Sequence, residues 1–284
     1  MSLVIDTLRK AYDRRSPVLK GLSLEIGPAK AYALIGPNGA GKSTTIKAII
    51  GSITVDSGSV RFAGMHLGQL KKRRGLSYLP EVLAPPRNLA LSEYLDAMAE
   101  LKGLAAGAAK TEYTRMAGEL GIEGALKARI STFSKGMRKK AGLIQAFLGS
   151  PELIILDEPT SDLDPVARRV ALDMVKAKLE AGSAVLMTSH ILTDLERVCH
   201  KAGLLKDGVV SNEIVVGDYK RASRNATVTL ERRGGSETEK LECLKLGGPE
   251  VRLDGAYRLA DVDYATADLE DWYHAGLGER GVRP

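Results

Sequence analysis

Ala31-Tyr32-Ala33-Leu34-Ile35-Gly36-Pro37-Asn38-Gly39-Ala40-Gly41-Lys42-Ser43-Thr44 is the stretch on which the reading of this chain turns. Its first five residues form an unbroken apolar run, as a short strand buried on both faces requires. Gly-x-x-x-x-Gly-Lys-Ser follows, and from Ser43 to Ile50 the chain can be helical, with Gly51 as the stop. Strand, glycine-rich turn and helix are the context in which this spacing binds phosphate. The glycines let backbone N–H groups turn inward and approach phosphate oxygens closely. The positive end of the helix that starts near Lys42 points at the same place. In such a loop Lys42 reaches the β- and γ-phosphates and the Ser43 hydroxyl ligates Mg²⁺. The alternative is a glycine-rich turn with a chance Lys-Ser, in a chain with 30 glycines; the strand before it and the helix after it count against that.

Upstream, Leu22, Leu24 and Ile26 alternate onto one face of an extended stretch from Val18 to Ile26, and Gly27-Pro28 marks a turn. Ser57–Phe62 returns to extended structure. From about Asn88 to Ile130 the pattern turns helical, with Leu91, Leu95, Met98 and Leu101 on one stripe and Tyr113, Met116 and Leu120 on another. Beyond it, strand-sized runs alternate with helical ones: Leu153–Leu156, Val166–Leu179, Ala184–Met187, Leu192–Cys199. Such alternation implies crossovers and a largely parallel sheet, hence an α/β fold. Composition breaks after Asp218, at the polar Arg221–Asn225 and the turn-like Gly234-Gly235-Ser236. Thr227–Leu230, Leu241–Leu246 and Tyr257–Val262 then read as short strands and Thr266–Ala275 as a helix, a small α+β appendage.

The bulk composition, 44% hydrophobic and 27% charged over 284 residues, is that of an ordinary globular chain of one large domain plus an appendage. No apolar run approaches the roughly 18 residues a membrane helix needs, so an action on a membrane would need another chain to span it. Cys199 and Cys243 have no metal-ligand spacing, and a reducing compartment fits them better than a disulfide framework. The net charge of +6 is spread out, with basic runs at Lys71–Arg74 and Arg138-Lys139-Lys140. Such runs are either solvated faces or a contact for an anionic membrane surface or nucleic acid.

Three further stretches bear on chemistry. Leu153–Leu156 ends in Asp157-Glu158-Pro159, two adjacent carboxylates at the sheet edge where phosphate loops open. Alone these are polar residues closing a core strand; beside a phosphate loop, Asp157 is placed to hold Mg²⁺ through water and Glu158 to polarise the attacking water. Phe133-Ser134-Lys135-Gly136-Met137 precedes a run with Met137, Ala141, Ile144 and Leu148 along one face, so Ser134 sits where an N-cap belongs. Ser134, Gly136 and the free N–H groups of that helix start form either a second phosphate grip or merely a capped surface helix. His190, after Ala184–Met187 and Thr188-Ser189, is either structural or stands near the γ-phosphate.

Taken together, these residues resemble the ATP-binding subunit of an ABC transporter, from about Leu3 to Asp218. Gly36–Thr44 looks like its Walker A loop, Leu153–Glu158 like Walker B, Phe133–Met137 like the signature, Ser161–Asp164 like the D-loop and His190 like the switch histidine. Tyr12 lies where the family stacks an aromatic on adenine, although a core tyrosine reads equally well there. The resemblance implies a P-loop NTPase of ABC type over residues 1–218, with a mixed sheet core, an N-terminal antiparallel β subdomain and a helical subdomain over about 88–150. Residues 219–284 would be the appendage. ATP and Mg²⁺ are the implied cofactors, contacted by Gly36, Pro37, Asn38, Gly39, Ala40, Gly41, Lys42, Ser43 and Thr44, with Ser43, Asp157 and Glu81 toward the metal.

The implied partners are a second ATPase subunit, as homodimer or paralogue, and an integral-membrane permease, with no nucleic acid. The place is the cytoplasm, peripheral on the inner face of the cell membrane. Two departures stand out: Lys135 and Met137 replace the signature's Gly and Gln, and Glu81 stands where the family usually has the Q-loop glutamine. Both resemble variants of single-cassette exporters, which favours export over import. The rival readings are a soluble ABC-type ATPase that serves in assembly, and a P-loop kinase or non-hydrolysing nucleotide module; Glu158 and His190 argue for turnover.

Overall fold

The computed structural model describes residues 2–13, 16–66, 75–218, 224–232, 238–245, 257–266 and 269–277. The basic run Lys71–Arg74 lies outside the described residues. The chain divides into two units, Met1–Glu213 and Ile214–Pro284.

The first unit begins with β1 (Leu3–Asp13), β2 (Ser16–Ile26), β3 (Ala31–Ile35), α1 (Lys42–Ile49), β4 (Ser57–Phe62), β5 (Met65–His66) and β6 (Leu76–Leu79). The helices α2 (Leu91–Leu101), α3 (Ala106–Glu119) and α4 (Lys135–Phe147) follow. It closes with β7 (Leu153–Asp157), α5 (Pro165–Glu180), β8 (Ala184–Thr188), α6 (Leu192–Val198), β9 (Lys201–Lys206) and β10 (Val209–Val215). These strands make two sheets: an antiparallel one in the order β2-β1-β4-β5, and a parallel-rich one in the order β10-β9-β3-β8-β7-β6.

The alternation in β2 has its purpose here. Leu22, Leu24 and Ile26 face inward and share one core with Tyr32 and Leu34 of β3, Ile46 and Ile49 of α1, Ile155 of β7 and Leu186 of β8. Every residue of β3, β7 and β8 is buried, as strands covered on both faces must be. β3 pairs in parallel with β8, β8 with β7 and β7 with β6. The carboxyl ends of four neighbouring strands therefore open at one edge, and the loops that leave them are the ones the sequence singled out.

On α2 the buried residues are Leu91, Tyr94, Leu95 and Ala99, whereas Leu101 is 66% exposed and does not continue the stripe. At about 100° per residue Lys102 falls roughly 20° from Leu91, and Leu101 roughly 80° away on the other side. The lysine takes the inward position. Its Nζ donates to Ser77 Oγ at 2.8 Å and to the carbonyls of Gln145 and Leu148 at 2.7 and 2.9 Å, where α4 ends and leaves acceptors open. Burial pushes this amine down to about 8, with Lys178 adding to the effect and Glu112 opposing it.

Lys102 carries a pH signature. Between about pH 8 and the ordinary lysine value the unfolded chain holds a proton here that the folded chain has lost, so its contribution to stability rises with pH across that window. The gap in urea midpoint between wild type and Lys102→Met is expected to widen in favour of wild type from about pH 7.5 to about pH 9.5. A constant or narrowing gap would contradict the assignment.

α4 is buried around most of its circumference through Ala141, Gly142, Leu143, Ile144, Ala146 and Phe147, so it is no surface helix. A Cβ on Gly142 would meet Leu79 Cδ1 of β6 at 2.6 Å, which shows how closely the helix lies on the sheet. The basic run at its start is neither solvated nor free for an anion. Arg138 donates to the Phe133 carbonyl, Lys139 to the carbonyls of Glu81 and Glu158, and Lys140 pairs with Asp164 at 3.2 Å.

In the second unit β11 (Arg224–Arg232), β12 (Thr238–Lys245) and β13 (Tyr257–Thr266) form an antiparallel sheet in the order β12-β11-β13, followed by α7 (Leu269–Leu277). Thr266 ends β13 rather than opening the helix, which is described from Leu269. The β-branched threonine pairs with Arg224 in the ladder, a fit for a strand end. Leu269 and Trp272, three apart on α7, are buried. Arg224 and Asn225 belong to β11, while Gly234-Gly235-Ser236 and Leu246 lie outside the described residues. Among the described residues no helix is long and apolar enough to cross a membrane.

Candidate functional site

The loop after β3 is shaped by two glycines with different jobs. A Cβ on Gly36 would lie 2.4 Å from the Leu205 carbonyl of β9, so only hydrogen fits there. Gly41, with φ +111°, turns the chain into α1 through a conformation that side chains disfavour. No side chain caps α1, which leaves its first N–H groups open toward the loop. Lys42 curls back, its Nζ donating to the carbonyls of Gly36 at 2.6 Å and Pro37 at 3.1 Å. Burial lowers the amine from its ordinary value, and the carboxylates of Glu158, Asp157 and Glu81 oppose that shift.

β7 delivers the two carboxylates. Asp157 is buried and its Oδ1 accepts from Thr188 Oγ1 at 2.6 Å, across the β7–β8 pair. The same hydroxyl accepts from the Glu158 N–H at 3.2 Å. Glu158 sits at φ +49°, a region that costs a non-glycine residue about 1–3 kcal/mol and clusters at functional sites. Its Oε2 accepts from the His190 N–H at 3.1 Å, while its Oε1 is buried with no hydrogen-bond partner. His190 Nε2 stands 3.6 Å from that oxygen on a side chain that is 61% exposed, so this histidine is no packed core residue. Burial raises the Glu158 carboxyl above its ordinary value, against the pull of the His190 N–H, the imidazole and Lys42.

Asn38, Gly39, Gly41, Lys42, Ser43, Thr44, Glu81, Asp157, Glu158 and His190 all line one cavity of about 290 Å³, with Val18. Gly36, Pro37 and Ala40 belong to the same loop without lining that cavity. Tyr12, Ser134 and Gly136 do not line it either. Tyr12 is 61% exposed near the end of β1 with Lys10 Nζ 5.5 Å from its ring centroid, which excludes the core-tyrosine alternative. Ser134 caps α4, its Oγ accepting from the Met137 N–H at 3.2 Å. A Cβ on Gly136 would lie 2.8 Å from the Asp162 carbonyl, so this glycine is required by contact with the turn after Glu158. The cleft thus holds a loop, three carboxylates and a histidine, whereas Ser134 and Gly136 do not line it.

Two residues of this centre escaped the sequence reading. Thr188 holds both Asp157 and Glu158, and its signal was only a hydroxyl ending an apolar strand. Lys139 is buried against the carbonyls of Glu81 and Glu158. Its signal was a charge three and four residues before Gly142 and Leu143, on the inward face of α4. The donors gathered in the cleft are hard oxygens: the Ser43 hydroxyl and the Asp157 and Glu81 carboxylates. That is the chemistry Mg²⁺ takes when phosphates and water complete its shell, so the residues fit that ion.

Residues 19–161 match the sequence profile of a family described as "ABC transporter". The ABC transporter ATP-binding protein YxlF of Bacillus subtilis (strain 168) is 35% identical over 97% of this chain and 92% of its own length. The Nod factor export ATP-binding protein I of Paraburkholderia xenovorans (strain LB400) is 28% identical over 95% of each chain. A solved ATP-binding subunit of an ABC transporter superposes with a TM-score of 0.73 at 33% identity, over 78% of this chain and 92% of that one. The chain therefore belongs to the ABC transporter family, as one of its ATPases.

Proposed function

We propose that this chain is the ATP-hydrolysing subunit that powers a separate membrane permease, working as an exporter through ATP-driven dimerisation. The observation that carries the chemistry is Glu158 Oε1, a buried acceptor at the wall of the cleft with no hydrogen-bond partner among the described residues. A buried carboxylate oxygen of this kind calls for a donor, and a water between it and a γ-phosphate supplies one. Glu158 polarises that water and His190 steadies the carboxylate from the other side. Lys42 leaves the Gly36 and Pro37 carbonyls for β- and γ-phosphate oxygens, and the N–H groups of the loop and α1 cradle the rest. Ser43 and, through water, Asp157 and Glu81 would hold Mg²⁺, which when bound supplies charge neutralisation on the phosphates. Tyr12 offers an exposed ring for the adenine.

The separation of Ser134 and Gly136 from this cleft supports a head-to-tail pair, in which the α4 start of one subunit closes on the nucleotide of the other. The second subunit is another copy or a paralogue, and residues 219–284 form an appendage to an ATPase domain over 1–218. Export rests on the family branch that Met137 and Glu81 resemble and on the export named for a relative. The subunit would then sit on the cytoplasmic face of the cell membrane. Solubilising membranes that carry the tagged chain tests the coupling: a multi-span membrane protein is expected to co-purify, and its reconstitution in vesicles is expected to change the rate of phosphate release. Recovery of an active ATPase with no such partner would sink the transport reading and favour a soluble assembly ATPase.

A further inference from the structure

Lys139 stands out among the buried polar groups because it ties together the loops that follow the neighbouring strands β6 and β7. It is 4% exposed on the inward face of α4. A buried ammonium is costly unless its donors are matched. Here it donates to two main-chain carbonyls of separate loops, Glu81 at 2.7 Å and Glu158 at 2.9 Å. Burial works against its charge, while Asp162, Asp157, Glu158 and Glu81 favour it.

The Glu158 peptide is the part of the cleft most in need of such a hold. Its left-handed backbone persists only if neighbours over-determine it. Lys139 Nζ and Ser161 Oγ, both at 2.9 Å, donate to its carbonyl, and Thr188 takes its N–H. The peptide that carries the carboxylate is therefore held on both its carbonyl and its N–H, while the His190 N–H holds Oε2. Lys139 also lies about 7.5 Å along a rigid helix from Ser134, the residue that caps the same helix.

We propose that Lys139 is a positioning residue for ATP hydrolysis: it locks the peptides of Glu158 and Glu81 to the helix that begins at Ser134, so that the Glu158 carboxylate is aligned only when that helix is seated. This rests on Glu158 being the carboxylate that polarises water. Lys139→Met keeps the length and removes the donors; Lys139→Gln restores donors on a shorter side chain that reaches one carbonyl. With sites counted by titration with a fluorescent ATP analogue, kcat per site is expected to fall on the order of 30- to 100-fold in Lys139→Met, as a small misplacement of a reacting group does. KM for ATP stays within about threefold, and Lys139→Gln recovers part of the rate. A merely structural lysine would lower the number of competent sites and leave kcat per site alone, and that result overturns the proposal.

Should Lys139→Met fail to fold, Lys139→Gln carries the test: a kcat per site down about 5-fold or more at unchanged KM supports it, and a wild-type kcat overturns it. Glu158→Gln measured alongside separates the two claims. Turnover retained there removes the premise, whereas loss there with Lys139→Met fully active removes only the role of Lys139.

Discussion

Glu158→Gln is expected to lower phosphate release by roughly 10³-fold, in the range a positioned general base contributes, while ATP affinity stays within about threefold. The substitution keeps the shape of the side chain and its place beside the His190 N–H, but removes the charge that the buried, unpartnered Oε1 would bring to a water. Because burial holds the carboxyl of the nucleotide-free chain above its ordinary value, wild-type kcat/KM for ATP should climb as pH rises through that raised pKa, and the Gln variant should lose the climb. The trapped state follows from the same reasoning: with ATP bound and hydrolysis blocked, the dimer should persist rather than come apart. Ordinary turnover in Glu158→Gln would end the role assigned to this residue.

Ser134→Arg is expected to have nearly as large an effect by a different route. Ser134 does not line the cleft of its own chain, so ATP should still bind there with near wild-type affinity. The cap on α4 is lost at a cost of about 1 kcal/mol, which a buried helix such as α4 tolerates. What disappears is the small, donor-rich surface that would close over a partner's γ-phosphate, and turnover should fall to background. The variant would bind and not hydrolyse. Loss of nucleotide binding in Ser134→Arg would show instead that the residue serves its own cleft or the fold.

The parts of this centre that could be read from the sequence are those set by local chemistry. Gly36, Gly41 and Lys42 announce themselves because a strand must end, turn back on a carbonyl and enter a helix within a few residues. Ser134 is legible as a cap for the same reason. That the loops after β3, β8, β7 and β6 stand side by side is not local: strand order is fixed by pairings between residues far apart in the chain. The family resemblance supplied it.

Periodicity alone assigns Leu101 the inward position that Lys102 occupies, because it takes no account of a lysine reaching inward to helix-end carbonyls. Arg138-Lys139-Lys140 reads as a charged run, yet each cation has a separate acceptor that only the folded chain brings near. Thr188 illustrates the same limit, since one hydroxyl serves the last residue of the neighbouring strand and the residue after it.

On the proposed function, the cleft at Gly36–Ser43 is half of a site and the other half arrives on a second molecule. This arrangement is tested most directly by co-expressing Ser134→Arg and Lys42→Ala chains under different tags and isolating the mixed dimer. Each parent alone should be inactive. The mixed dimer keeps one intact loop facing one intact signature, so it should release phosphate at about half the wild-type rate per dimer. A mixed dimer no more active than its parents would show that loop and signature do not meet across the pair, and would contradict the account.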